Sequence, residues 1–104
     1  MICNMYCVYD ALATTYGEPF VQVSDNAAMR VFAARFVNTP EVVRDDMALV
    51  RLGEYDTDCG VIIPCEDNDR LCNHYVCNYD EAVSTIAKMR GELDPTTVQE
   101  VDNA

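Results

Sequence analysis

A run of apolar residues near the start of the chain predicts extended structure. The run Met5–Asp10 is rich in aromatic and β-branched residues, and every second side chain can face a core. Gly17-Glu18-Pro19 is a turn signal, and the apolar run Phe20–Val23 follows it. The pattern therefore predicts a first strand over Met5–Asp10 and a short second strand over Phe20–Val23, whereas Ala11–Tyr16 is ambiguous.

A spacing of three and four residues between apolar side chains predicts the first helix. Ser24-Asp25-Asn26 supplies cap residues, and behind them one helical face carries Ala28, Met29, Phe32, Ala33 and Phe36. Pro40 disfavours helix in the residue before it and has no backbone N–H to donate. We therefore expect a helix over Asp25–Val37, followed by a connecting segment over Glu41–Asp46.

Two apolar runs separated by a polar turn predict an antiparallel hairpin. The first run is Met47–Tyr55 and the second is the β-branched run Val61–Ile63. The segment between them, Asp56–Gly60, is polar and ends in glycine, which suits a connection between two strands. Pro64 closes this hairpin.

The last part of the chain predicts a loop, a helix and a tail. Cys65–Cys77 is polar with no clear period, so we predict a loop there. Asn78 and Glu81 have the spacing of a capping box, and an apolar stripe continues from them to Arg90. We expect Gly91 to end this second helix. Residues 91–104 are then an acidic C-terminal tail.

These elements predict one small α+β domain over residues 1–90. We expect a small antiparallel sheet of three to four strands with two helices packed on one face. A chain of 104 residues suits a single core.

The apolar runs of the chain are far shorter than the ~20 residues of a membrane span, so we expect no membrane partner. Met1–Asn4 shows no basic start followed by an apolar run, and we expect no secretory signal.

The charge of the chain argues against strong, direct binding to DNA. Eighteen acidic residues against seven basic ones give a net charge of −11, and Lys88 is the single lysine. The charge is spread along the chain, so no basic arm is hidden in it. Affinity for nucleic acid is built largely from Lys and Arg contacts to phosphate.

The cysteines are interpreted as free thiols, with a zinc site as the alternative. With no export signal, disulfides are not expected between Cys3, Cys7, Cys59, Cys65, Cys72 and Cys77. Thiolate and imidazole are the ligands that zinc prefers, which makes Cys65, Cys72, His74 and Cys77 weak candidates. Among the cysteine pairs of this segment, only Cys72 and Cys77 are spaced closely enough for a usual ligand pair. Buried or loop thiols are therefore favoured, and no cofactor is expected.

Catalytic groups are sparse in the sequence. His74 is the one histidine, and Ser24 and Ser84 both fall within helix signals. A nucleophile, a base and an orienting group cannot be assembled from these residues by any familiar pattern. The four glycines are too widely separated for a phosphate-binding loop. We expect a protein that is not an enzyme.

Aromatic residues in the predicted sheet have two interpretations. An exposed group of them would stack the bases of single-stranded DNA, and the candidates are Tyr6, Tyr9, Phe20 and Tyr55, with Tyr16 beside them. Large aromatics of a small sheet more often lie in the core. The core interpretation is favoured at this stage.

Three short signatures follow one another along residues 5–64. They are the Tyr9-Asp10 end of the first strand, the helix start Asp25-Asn26-x-Ala28-x-Arg30-x-Phe32, and Leu52-Gly53-Glu54-Tyr55-Asp56 in the hairpin. In these signatures the chain resembles the small nonstructural protein of gokushoviruses, single-stranded DNA phages of the Microviridae. The resemblance implies a phage protein of the host bacterial cytoplasm, with a role in viral DNA synthesis or in genome packaging. Residues 65–104 extend beyond it.

Two functions follow as hypotheses. The first is an interaction protein of viral DNA synthesis or packaging that binds a phage or host protein and also single-stranded DNA, with phosphate contacts from Arg30, Arg35, Arg44 and Arg51. The second is an acidic decoy that binds and inhibits a host nucleic-acid-binding protein. Carboxylates gathered on one face would favour the decoy, and a neutral aromatic face would favour the first hypothesis. Either form can self-associate through the edges of a short sheet.

Overall fold

The computed structural model describes residues 1–65 and 74–93 and has the predicted α+β class. Its strands are β1 (Ile2–Asp10), β2 (Thr15–Tyr16), β3 (Phe20–Gln22), β4 (Met47–Asp56), β5 (Ile62–Pro64) and β6 (His74–Asn78). Its helices are α1 (Asp25–Phe36), α2 (Glu41–Arg44) and α3 (Tyr79–Leu93). None of these helices is long and apolar enough to cross a membrane.

Two long strands carry the sheet. β1 pairs antiparallel with β4 along its whole length. β2 and β3 both pair with the other edge of β1, and β5 and β6 both pair with the other edge of β4. The six strands therefore form one antiparallel sheet, as predicted, but they are more than the predicted three to four because each edge of the β1–β4 pair carries two short strands. The predicted hairpin is confirmed as β4 and β5.

Both α1 and α3 pack on one face of this sheet, as predicted. Because side chains alternate between the faces of a strand, Tyr6 and Val8 of β1 share a face with their cross-strand neighbours. The buried core lies there and joins both strands to both helices through Tyr6, Val8, Leu49, Cys77, Ala28, Phe32 and Ala82. The opposite face of the sheet receives no helix among the described residues.

The prediction of a loop over Cys65–Cys77 is wrong at its C-terminal end. His74–Asn78 forms β6 and pairs with β4, with Cys77 opposite the buried Leu49. An irregularity in register next to that pair interrupts the simple alternation of a short strand. The period-two pattern is therefore absent from the sequence although the strand is present. Residues 66–73 of the predicted loop lie outside the described residues.

The helix starts follow the sequence signals. Ser24 caps α1, and its Oγ accepts a hydrogen bond from the backbone N–H of Ala27 at 3.2 Å. Before α3, the N–H of Glu81 donates to Asn78 Oδ1 at 2.8 Å and the N–H of Asn78 donates to Glu81 Oε1 at 2.9 Å. This reciprocal pair is the predicted capping box.

The helix ends differ more from prediction than the starts do. Gly91 does not end α3, which continues to Leu93. Glycine inside a helix costs only about 1 kcal/mol relative to alanine. The packing of α3 on the sheet, through the buried Ala82, offsets a cost of that size. Of the predicted acidic tail, residues 94–104 lie outside the described residues.

A partly buried hydrogen bond ties the start of α1 to the centre of the sheet. The fully buried Tyr6 donates its hydroxyl to Asp25 Oδ1 at 2.6 Å. The same hydroxyl accepts a hydrogen bond from Asn4 Nδ2 at 3.0 Å. Burial first, and then the bond to the Asp25 carboxylate, raise the pKa of Tyr6 far above its ordinary value. Tyr6 therefore stays protonated and remains a donor.

We expect Tyr6→Phe to lower the free energy of unfolding by about 1–2 kcal/mol, because Asp25 and Asn4 both lose a partner. Urea denaturation measures this change. Tyr9→Phe is the matched control, since Tyr9 lies on the opposite sheet face and is not part of this network; it should change stability by less than about 0.5 kcal/mol. Equal effects of the two substitutions would contradict the assigned role of the Tyr6 hydroxyl.

Gly53 lies where β4 and β5 approach most closely. A Cβ at this position would stand 2.2 Å from the backbone oxygen of Ile63, whereas a Cβ at Gly91 would meet nothing within 4 Å. We expect Gly53→Ala to destabilise the protein by about 1–3 kcal/mol through steric overlap. Gly91→Ala should instead stabilise it by up to about 1 kcal/mol through helix propensity. Thermal unfolding of both variants checks the sign, and a neutral Gly53→Ala would disprove the close approach.

Candidate partner-binding surfaces

The sheet face opposite the helices carries no charged side chain at the paired positions of its two central strands. It is built from the neighbours of Tyr6 and Val8 in sequence, which alternate to the other side. The cross-strand pairs on this face are Cys3 with Tyr55, Met5 with Gly53, Cys7 with Val50, and Tyr9 with Ala48. The chain has a net charge of −11, so a surface without charge along four successive cross-strand pairs is a distinct feature. We call it the neutral sheet face.

The outer strands extend the neutral sheet face on both sides. Tyr16 lies opposite Tyr9, and the two rings contact each other with centroids 4.6 Å apart. At the other end, Ile62 lies opposite Tyr55. Tyr16 and Ile62 are 43% and 57% exposed, whereas Cys7 in the centre is buried. Small buried residues are thus flanked by large exposed ones, an arrangement that suits contact with a protein.

The four aromatic candidates divide between the two sides of the sheet. Tyr6 is fully buried, and Phe20 packs beside it with ring centroids 5.9 Å apart. Tyr6 belongs to the core and the partly buried Phe20 packs against it, as the favoured core interpretation predicts, so neither is part of an exposed platform. Tyr9 and Tyr55 lie on the neutral sheet face, together with Tyr16. The core interpretation therefore holds for Tyr6 and Phe20, whereas a contact role for Tyr9 and Tyr55 stays a prediction.

None of the four candidate arginines lies on the neutral sheet face. Arg30 is exposed on α1, and the guanidinium of Arg35 lies 5.4 Å from the ring centre of Phe36 on the same helix. Arg44 stacks at 4.2 Å over the ring of Tyr79. Arg51 is the register partner of Tyr6, which places it on the helix side. Base stacking and phosphate contact, which single-stranded DNA requires together, are therefore on different sides of the molecule.

The cysteines of the described residues are free thiols. Cys3, Cys7 and Cys77 are buried, Cys65 is half-buried and Cys59 is exposed. Burial, and to a smaller extent the carboxylates of Glu81 and Asp25, raises the pKa of Cys77 to about 12. Such a thiol stays protonated at neutral pH.

The weak zinc candidates do not assemble where the structure describes them. Cys77 lies in the core, and the Sγ of Cys65 donates to the backbone oxygen of Arg51 at 3.3 Å. Cys72 and the side chain of His74 lie outside the described residues. Within residues 1–65 and 74–93, no three side chains of the metal-binding types come together.

A second surface that sequence reasoning missed is the groove between α1 and α3. It has a volume of about 780 Å³ and is lined mainly by apolar residues of the two helices, with Arg30 and Arg90 among them. Val31 and Val83, from opposite walls, remain 39% and 42% exposed. The signal available in the sequence was a second apolar stripe on each helix, beside the stripe that faces the core. We call this feature the helix groove.

The Cys77 thiol should make stability depend on alkaline pH. Its pKa is higher in the folded state than its ordinary value of 9.0, so folding favours the protonated thiol. The resulting stabilisation is complete below about pH 9 and is lost as pH rises towards 12. We expect the difference in free energy of unfolding between the wild type and Cys77→Ala to shrink between pH 8 and pH 10.5 in urea titrations. A difference that is constant with pH would refute the assignment.

Comparison with known proteins agrees with the phage resemblance of the short signatures. The sequence profile of a protein family described as Phage ORF5 protein matches residues 3–78, a longer span than 5–64 and one that includes β6. No curated protein and no solved structure shows a match. The assignment to gokushoviruses in particular stays a prediction. Because the matched residues make up well over half of the chain, the chain belongs to the Phage ORF5 protein family.

Proposed function

We propose that this chain is a phage accessory protein that acts by binding a protein partner in viral DNA synthesis or genome packaging, without catalysing a reaction. Membership of the Phage ORF5 protein family supports the phage setting. The neutral sheet face is the observation that carries the binding role. Large neutral surfaces with exposed aromatic and aliphatic flanks are uncommon on proteins that bind nothing.

A protein is a better partner for the neutral sheet face than single-stranded DNA. The face offers Tyr9, Tyr16 and Tyr55 for contact, but the four candidate arginines lie elsewhere. A net charge of −11 also repels phosphate at long range. A phage replication or capsid protein that presents an apolar patch would cover the exposed flanks of this face, Tyr16 and Ile62, without any charge to neutralise. The free thiols agree with the reducing host cytoplasm as the place of action.

The decoy hypothesis receives less support from the distribution of charge. Asp10, Asp45 and Asp46 lie at the end of the sheet where β1 finishes and β4 begins. Asp56 and Asp58 lie at the other end, beside the N-terminal amine. A surface that imitates DNA needs its carboxylates together on one face. The neutral sheet face therefore favours the first hypothesis.

The proposal can be tested in a phage that carries this gene. Tyr16→Asp and Ile62→Asp each place a charge on an exposed flank of the neutral sheet face. We expect both variants to reduce intracellular viral DNA or nuclease-resistant packaged DNA at least tenfold, because an unpaired charge buried in an interface costs several kcal/mol. Quantitative PCR of both DNA pools measures the effect and separates synthesis from packaging.

Leu12→Asp is the matched control for this experiment. Leu12 is 81% exposed in the turn between β1 and β2, and the same change there should leave both DNA pools unaltered. Purified variants must unfold at the wild-type urea midpoint, so that a loss reflects binding. Wild-type amounts of viral DNA and of packaged DNA from both sheet-face variants would refute the proposal. Salt-sensitive binding of the purified protein to labelled single-stranded DNA, followed by anisotropy, would instead restore the DNA hypothesis.

A further inference from the structure

Helices α1 and α3 each carry apolar side chains that the core does not use. In α1, Ala28 and Phe32 face the sheet, whereas Ala27, Val31 and Ala34 recur with the same helical spacing along the helix groove. In α3, the core takes Ala82, whereas Val83 and Ala87 line the groove. These groove-lining side chains are not part of the buried core of the described residues. The alanines keep the groove wide, and the valines give it apolar walls.

The charge along the helix groove is opposite to that of the protein. Arg30 and Arg90 line it from the two helices, and the described residues contribute no carboxylate to its walls. The chain has 18 acidic residues against seven basic ones, so a lining with positive charge only is unexpected for a random piece of its surface. Ion pairs among the described residues involve only the N-terminal amine. Within residues 1–65 and 74–93, neither guanidinium group is paired with a carboxylate.

We propose that the helix groove binds an amphipathic segment of another protein whose apolar side chains are flanked by carboxylates. The apolar side chains would fill the space between Val31 and Val83. Carboxylates on either side would reach Arg30 and Arg90, which can each bind a carboxylate with two parallel hydrogen bonds. Apolar anchors at helical spacing in a groove are an established mode of peptide recognition. The groove lies on the opposite side of the sheet from the neutral sheet face, so this inference does not depend on the proposed function.

A display library of random 16-residue peptides, selected on the full-length protein, provides the probe. We expect enriched peptides to combine apolar residues three or four apart with Asp or Glu nearby. The best peptide should perturb the amide NMR signals of Val31, Ala34 and Val83. Arg30→Gln and Arg90→Gln should each weaken its binding about tenfold, the usual scale for a lost charge-assisted hydrogen bond.

Two further variants of the full chain sharpen the test. Ala34→Glu adds a carboxylate to the groove at an exposed helical position and should abolish binding of the same peptide. Lys88→Gln is the control, because Lys88 is on α3 but does not line the groove; it should weaken binding less than twofold. Both variants keep residues that favour helix, so their unfolding midpoints should match the wild type.

Several outcomes would overturn the inference. Enriched peptides without acidic residues, equal effects of Arg90→Gln and Lys88→Gln, or signal changes confined to the neutral sheet face would each do so. A protein that sediments as a dimer and becomes a monomer on adding the peptide would show that a second copy fills the groove. Peptide binding that tightens in the full-length variant with Val98→Asp and Val101→Asp would identify the chain's own residues 94–104 as the occupant.

Discussion

The antiparallel pairing of β1 with β4 is the constraint on which the other elements depend. The four remaining strands are two to five residues long and pair only with these two. A strand of two or three residues has no independent stability. Each short strand is therefore stabilised by the long ribbon, the antiparallel pair of β1 and β4. The helices depend on the ribbon as well, because their core contacts are to residues of β1, β4 and β6.

The pleat of this ribbon divides the molecule into two chemically different sides. One side receives the helices, and the bond from Tyr6 to Asp25 fixes where α1 begins on it. The other side consists of the alternate residues, which carry no charge at the paired positions of β1 and β4. One face of an antiparallel sheet commonly meets solvent and then carries polar residues, whereas this second face includes the buried Cys3, Cys7 and Val50.

Local elements could be predicted from the sequence, whereas their relations in space could not. The cap at Ser24, the capping box at Asn78 and the hairpin are set by neighbouring residues, and the structure confirms them. β6 was missed because a register irregularity hides the alternation in a five-residue strand. The separation of the arginines from the exposed tyrosines was missed because it depends on which face of the sheet the helices pack against and, for Arg51, on the register between distant strands, which no local pattern contains.

The two candidate surfaces lie on opposite sides of one thin sheet-and-helix layer, which has a consequence for how partners would assemble. A partner on the neutral sheet face and a segment in the helix groove would not collide, because the sheet separates them. Net negative charge would slow the approach of an acidic segment at long range, whereas Arg30 and Arg90 would attract it at short range. Binding would then require a close apolar fit as well as complementary charge. Such a combination favours one specific segment over acidic chains in general.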